Sequence, residues 1–424
     1  MKHYTIFSFL LLFGTCLTAQ TSTDQISAGL GYGKSAFYKL SDGTSTQQDY
    51  DFWDIAFSNI DGATAGVFIN EGTNSSMGQS GPALEAYDPW VFDFNQDIDP
   101  AELIDDYRIL NPESSWAEGA FNVNRDTSDF NDYGWGIYDA TELKIIGQRV
   151  YGLKLRNGQY RKFMIDEFDG STFKFRVANL DGSNVSTHSI TTTPGNGSPI
   201  KYFSINNANP PEPADWDLTF CRYNSPLWDG TQYIPYDVTG ILSNEGVLVA
   251  EALNVDPDNV DYHEYLDSLS SKLDIIGHDW KYYTGSVWTI IPNHAYFVMQ
   301  PDGKLYKLVF TNFGGSFNGT ATLKRTYITQ ISETHELPDI LNRVSIFPNP
   351  ATDHFSLALE SNISGNASFS LIDIDGKTIL TNNRQINKGL NVLEFKNLNQ
   401  ITPGVYFLNM RLNEGTVCRK VVFQ

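Results

Sequence analysis

The sequence predicts an all-β protein made of two antiparallel β units followed by a small C-terminal β-sandwich. Strand-length segments with period-two alternation recur along the chain, each bounded by Gly, Asp, Asn or Pro. Aromatic residues make up 13% of the 424 residues and 34 are Gly, whereas stretches with a helical period are few. Aromatic side chains suit a half-buried pleat and Gly suits its turns. Several landmarks also occur twice in the same order, which points to a duplication.

Taken in order, the chain opens with Lys2, an apolar run from Ile6 to Phe13 that is too short to span a bilayer, and Leu17-Thr18-Ala19. This reads as a signal peptide over residues 1–19, cut before Gln20. The first β unit is expected over residues 20–195. It holds a short aromatic strand at Ala36 to Leu40, then Trp53-Asp54-Ile55-Ala56-Phe57, then Asn70-Glu71-Gly72. Alternation in the Trp-Asp segment puts Trp53, Ile55 and Phe57 on one core face, with Asp54 bonding a turn. Tyr151 to Arg156 alternates, Asn157-Gly158 is a hairpin turn, and Tyr160 to Ile165 is the partner strand.

The Thr/Pro/Gly/Ser-rich stretch Thr191 to Pro199 separates the units. The second unit, residues 196–332, repeats the landmarks: an aromatic strand at Tyr202 to Ile205, Trp216-Asp217-Leu218-Thr219-Phe220, Asn244-Glu245-Gly246, and a hairpin around Asp302-Gly303. Helices are expected at Pro100 to Ile109, with Asp99 as the cap, and at Asp261 to Lys272. A polar linker over 333–343 leads to the last domain, 344–424, where Pro and Gly turns separate alternating strands.

Composition excludes several functions. The formal charge is −21, and loss of Lys2 with the leader takes it to near −22 (−21 − 1), so nucleic acid is excluded as a partner. Past the leader the cysteines are Cys221 and Cys418, too few for a disulfide framework or a Cys-rich metal site. There is no G-x-S-x-G, H-E-x-x-H or P-loop, and the chain reads as a non-enzyme without a transmembrane span.

The repeated order of W-D-I-A-F, N-E-G, an aromatic strand and a D/N-G hairpin resembles the HmuY family, haem-binding surface proteins of Bacteroidetes. The motifs are Trp53 to Phe57, Asn70 to Gly72, Tyr151 to Lys162 and Gly170 to Gly182, then Trp216 to Phe220 and Tyr296 to Lys307. The resemblance implies two HmuY-like units and haem capture by axial His or Met. His278 and His294 lie nearest an aromatic-rich segment, and Trp280, Tyr282, Tyr283 and Trp288 are expected to cover the porphyrin. The alternative is a carbohydrate- or protein-binding surface module using Trp90, Trp116, Trp135, Trp228 and Trp288. Separately, Asp93, Asn95, Asp97 and Asp99 space oxygen ligands at alternate positions, as a calcium loop would.

The last domain carries Phe347-Pro348-Asn349-Pro350, Asp375-Gly376-Lys377, Pro403-Gly404-Val405-Tyr406 and a closing Arg419-Lys420-Val421-Val422. It closely resembles the type A C-terminal sorting domain of the type IX secretion system. That resemblance implies passage through the outer membrane, removal of the domain, and attachment to surface lipopolysaccharide or release.

Overall fold

A computed structural model describes residues 21–424 apart from 61–63, 77–78, 196–197, 207–209, 214, 331–340, 374–376 and 413–414. The expected leader, most of the linker and the Asp375-Gly376 turn lie outside the described residues. The described residues form antiparallel sheets joined by turns, and their helical elements are all short 3-10 pieces. No helix among them is long and apolar enough to cross a membrane.

Both expected helices shorten. Asp99 does cap, its carboxylate accepting from Ala101 N at 2.9 Å, but the turn stops at Glu102. A second one follows at Asp105–Tyr107. Arg108–Ile109 then pairs with Tyr87 and Ala86, so sheet pairing overrides the helical signal. The other segment keeps a seven-residue 3-10 helix, Tyr262–Ser268.

The boundary expected at residue 195 does not separate the sheets, because the two halves lend strands to each other. Strand Thr21–Ser27 closes the sheet of the second half by pairing with Thr320–Gln330, and Lys34–Tyr38 pairs with Leu218–Trp228. In the other direction Ile200–Phe203 of the second half pairs with Ile55–Ser58, while Ser186–Thr191, still inside the first half, pairs with Thr172–Ala178. In space each core is completed by the other half: the first half lends Thr21–Ser27 and Lys34–Tyr38, and the second lends Ile200–Phe203.

The cores follow the exchange. One contains Ile55, Phe57, Val67, Trp135, Tyr151, Phe163, Phe173 and Phe175, and draws in Phe203 from the second half. The other contains Leu218, Phe220, Trp280, Tyr296, Leu308 and Phe310, and draws in Ile26, Ala36, Tyr38 and Leu40 from the first. A third cluster, with Phe37, Ala56, Phe68, Trp116, Tyr202 and Trp216, lies on the reverse faces of the exchanged strands and joins the halves.

Trp53 departs from the expected alternation. Ile55 and Phe57 enter the first core, while Trp53 packs with the joining cluster. The strand begins only at Ile55, so strict alternation does not extend back to the Trp. Trp216 stands the same way before its strand at Leu218. Each indole packs on a ring of the lent strand: Trp53 on Tyr202 at 5.5 Å and Trp216 on Phe37 at 5.4 Å.

The C-terminal domain is a sandwich of a three-stranded and a four-stranded sheet. Phe355, Leu357 and Leu359 alternate into a core shared with Phe369, Leu371, Leu408 and Met410. Its opening turn is tied to its last strand, for Asn349 Oδ1 accepts from Val422 N at 2.7 Å and Nδ2 donates to Lys420 O at 3.1 Å.

Candidate functional site: a cleft between the two halves

The repeated Trp-Asp and Asn-Glu-Gly motifs build two equivalent nodes. Asn70 N donates to Asp54 O and its Nδ2 to Trp53 O; Asn244 N donates to Asp217 O and its Nδ2 to Trp216 O. The carboxylates receive the lent strands, Asp54 Oδ2 from Ile205 N at 2.8 Å and Asp217 Oδ2 from Leu40 N at 2.7 Å. A residue from each half's hairpin turn completes the node. Arg156 Nη1 donates to Asp54 Oδ1 at 3.1 Å, and Gln300 Nε2 donates to Asp217 Oδ2 at 2.8 Å.

Between the nodes lies a cavity of about 100 Å³ walled by Phe37, Trp53, Phe68, Trp116, Tyr202 and Trp216. Polar groups stand among these rings. Trp216 Nε1, Tyr223 Oη and Asn224 Nδ2 are buried with no hydrogen-bond partner, an arrangement that is costly unless something supplies one. Two acids also line it. Burial pushes Glu71 up to about 7, even though its carboxylate accepts from Asn111 N at 2.9 Å. Burial, and then the neighbouring Asp274 carboxylate, push Glu113 up to about 7.

Arg222 and Asn224 belong both to this cavity and to a wider groove of about 550 Å³. The groove gathers Arg108, Lys154, Arg156 and Arg222 against Glu85 and Asp237. Lys154 pairs with Glu85 at 2.9 Å and Arg222 with Asp237 at 3.4 Å, while Arg108 forms no salt bridge with a described residue. The corresponding groove of the other half, about 490 Å³, has the opposite sign: Asp215, Asp217, Glu245 and Asp302 around Lys39.

The residues singled out in the sequence lie elsewhere. His294 begins strand His294–Met299, is buried, and has its Nε2 2.9 Å from Glu251 Oε1. His278 is half-buried, which lowers its pKa, and its carbonyl accepts from Lys281 Nζ at 3.0 Å. Neither lines the cavity or the grooves. Trp280, expected to cover a porphyrin, is fully buried and stacks on Phe310 at 4.1 Å. Tyr282, Tyr283 and Trp288 do remain exposed.

Asp93, Asn95, Asp97 and Asp99 do not converge on a cation. Asp93 Oδ1 accepts from Asn95 N, and Asp99 caps Ala101, so the Asp93 and Asp99 carboxylates close turns. Among the described residues no group of three or more His, Cys, Asp or Glu is placed to hold a metal ion. Of the tryptophans expected at a binding surface, Trp116 and Trp135 are buried, whereas Trp90, Trp228 and Trp288 are exposed. Sequence reasoning missed Arg108, Arg156 and Arg222, since isolated arginines in alternating strands carry no spacing signal; only their convergence distinguishes them.

Comparison with known proteins places one part of the chain. The model of the secretion system C-terminal sorting domain matches residues 345–424, and no curated protein matches the chain. Among solved structures, apo PinO from Porphyromonas gingivitis is 9% identical over 74% of this chain and 100% of its own, with a TM-score of 0.23. Dimeric latent PorU from Porphyromonas gingivalis is 9% identical over 95% of this chain and 34% of its own, with a TM-score of 0.19. At these scores neither bears on the fold or function of residues 21–330. Residues 345–424 are a secretion system C-terminal sorting domain, and the chain that carries it is a protein delivered by type IX secretion to the cell surface or beyond.

Proposed function

We propose that residues 21–330 form a non-catalytic binding body displayed by the sorting domain, with its ligand site in the cleft between the two halves. The observation that carries this is the shared wall. Arg222 and Asn224 border both the basic groove and the aromatic cavity, so a ligand can rest a polar group on the guanidinium side and turn an apolar part toward Trp53, Trp116 and Trp216. An apolar pocket with a few convergent polar groups, set between packed units, is the usual form of a small-molecule site. A binding role also suits Cys221, the thiol at the cavity, because burial pushes it up to about 12 and so keeps it protonated and unreactive.

The test is a glycan array with the full chain, followed by tryptophan fluorescence titration of each hit. Binding that quenches the cleft indoles and is lost in Asn224→Ala supports the reading; no binding, or binding indifferent to Asn224→Ala, removes it.

The HmuY resemblance supplies a second reading, haem held by His278 and His294. One observation favours it: the Glu251 carboxylate fixes the His294 ring, as carboxylates do for metal-bound imidazoles. A Soret titration of the full chain and of His278→Ala and His294→Ala decides it. Unchanged spectra in both variants, or no Soret band at all, rules it out.

A further inference from the structure

We infer that the basic groove holds the carboxylate of an acidic oligosaccharide whose next sugar stacks on the aromatic tip of the adjoining hairpin. This rests on reading the cleft as the ligand site, and it adds a ligand class and a second contact surface.

The charge of the groove carries the first part. In a chain of net charge −21, Arg108, Lys154, Arg156 and Arg222 converge on one space with two acids, Glu85 and Asp237. A solvated surface of this composition would be acidic, as the corresponding groove of the other half is. The grooves beside Arg156 and beside Asp217 thus carry opposite signs. Arg156 and Arg222 already use their Nη donors on Asp54, Asn70 O, Asn74 O, Ser80 and Asp237 and add charge to the wall, whereas Arg108 forms no salt bridge with a described residue and has a buried Nε–H without an acceptor. Guanidinium donors are forked to match a carboxylate. The volume, about 550 Å³, lies in the range of small-ligand pockets.

The second part comes from register. Strands Leu218–Trp228 and Tyr233–Ser243 pair without a break, Asn224 opposite Asp237, Pro226 opposite Pro235 and Trp228 opposite Tyr233. Side chains alternate along a strand, so Arg222, Asn224, Pro226 and Trp228 share one face with Asp237, Pro235 and Tyr233. That face runs from the groove to the hairpin tip. There Trp228 and Tyr233 form an edge-to-face pair at 5.2 Å while remaining 57% and 70% exposed. From Asn224 to Trp228 the strand advances about 13 Å, the span of a short oligosaccharide. The C–H face of a sugar packs on such rings, and its carboxylate reaches the arginines. A long nucleic acid has phosphates for the same cations, but the overall charge repels it.

Isothermal titration of the full chain with trigalacturonate, and with the same trimer reduced to its neutral alcohol, tests the inference. The acidic trimer is expected to bind at least about tenfold more tightly, with affinity falling as salt rises. Arg108→Gln, Lys154→Gln and Trp228→Ala should each weaken it about tenfold with unchanged melting, while Lys39→Gln in the acidic groove leaves it intact. Equal affinity for the two trimers overturns the inference and leaves the cleft reading standing. Binding that ignores all three variants overturns it too. Competition by inorganic sulfate or a short oligonucleotide as strong as by the trimer removes the sugar. No binding of either trimer, with other glycans still bound in the cleft, overturns this inference alone.

Discussion

Asp54 and Asp217 receive each other's half of the chain: Asp54 accepts from Ile205 N at 2.8 Å, and Asp217 accepts from Leu40 N at 2.7 Å. Both carboxylates are buried. They latch the lent strands onto the two cores, and the joining cluster of Trp53, Trp216, Phe37 and Tyr202 lies beside them.

Asp54→Ala should be strongly destabilising. It removes the partner of Arg156, whose side chain is 13% exposed, and leaves Ile205 N and Ser204 Oγ without their acceptor. Stranding one member of a buried ion pair costs about 3–5 kcal/mol. Urea unfolding of the full chain measures it, and a loss under about 1 kcal/mol would contradict the latch.

Deleting residues 21–49 should loosen the second half more than the first. It takes away the strand paired with Thr320–Gln330 and the one paired with Leu218–Phe220, along with Ile26, Ala36 and Tyr38 from that core. Hydrogen exchange should therefore speed up in 218–220 and 320–330 while 163–177 stays protected. Uniform loss across both halves would show that the cores do not unfold separately.

Glu71 should make the protein less stable as pH rises. Burial lifts its pKa from 4.5 to about 7, so between these values the folded state holds a proton that the unfolded state has released. Stability from this group is complete below the unfolded value and is lost as pH climbs through the folded one. The loss is roughly 3 kcal/mol at most. Melting across pH 4 to 8 should show a steeper loss in wild type than in Glu71→Gln, the remaining slope of the variant coming from Glu113, which burial also lifts to about 7.

Asn349→Ala should impair the sorting domain. The side chain donates to Lys420 O and accepts from Val422 N, bonds worth about 0.5–1.5 kcal/mol each. Surface delivery should fall while the protein accumulates inside the cell, as fractionation would show. Surface-extracted wild type should begin at Gln20, and a form starting at Met1 would contradict the expected leader.

Period-two alternation and Gly/Asn turns were enough to read the strands, the hairpins at Asn157-Gly158 and Asp302-Gly303, the doubled landmarks and the whole sorting domain, because each is a local property of a short segment. Which strand pairs with which is not local. Lys34–Tyr38 and Ile200–Phe203 have the same pattern and could each complete either core; long-range burial of Phe37 against Trp216 and Tyr202 against Trp53 accompanies the crossed arrangement. The cleft is legible still less, since Arg108, Arg156 and Arg222 are scattered singly over more than a quarter of the chain. Sequence determined the elements and their order; the tertiary structure decided the exchange, and with it the one place where those three guanidinium groups meet.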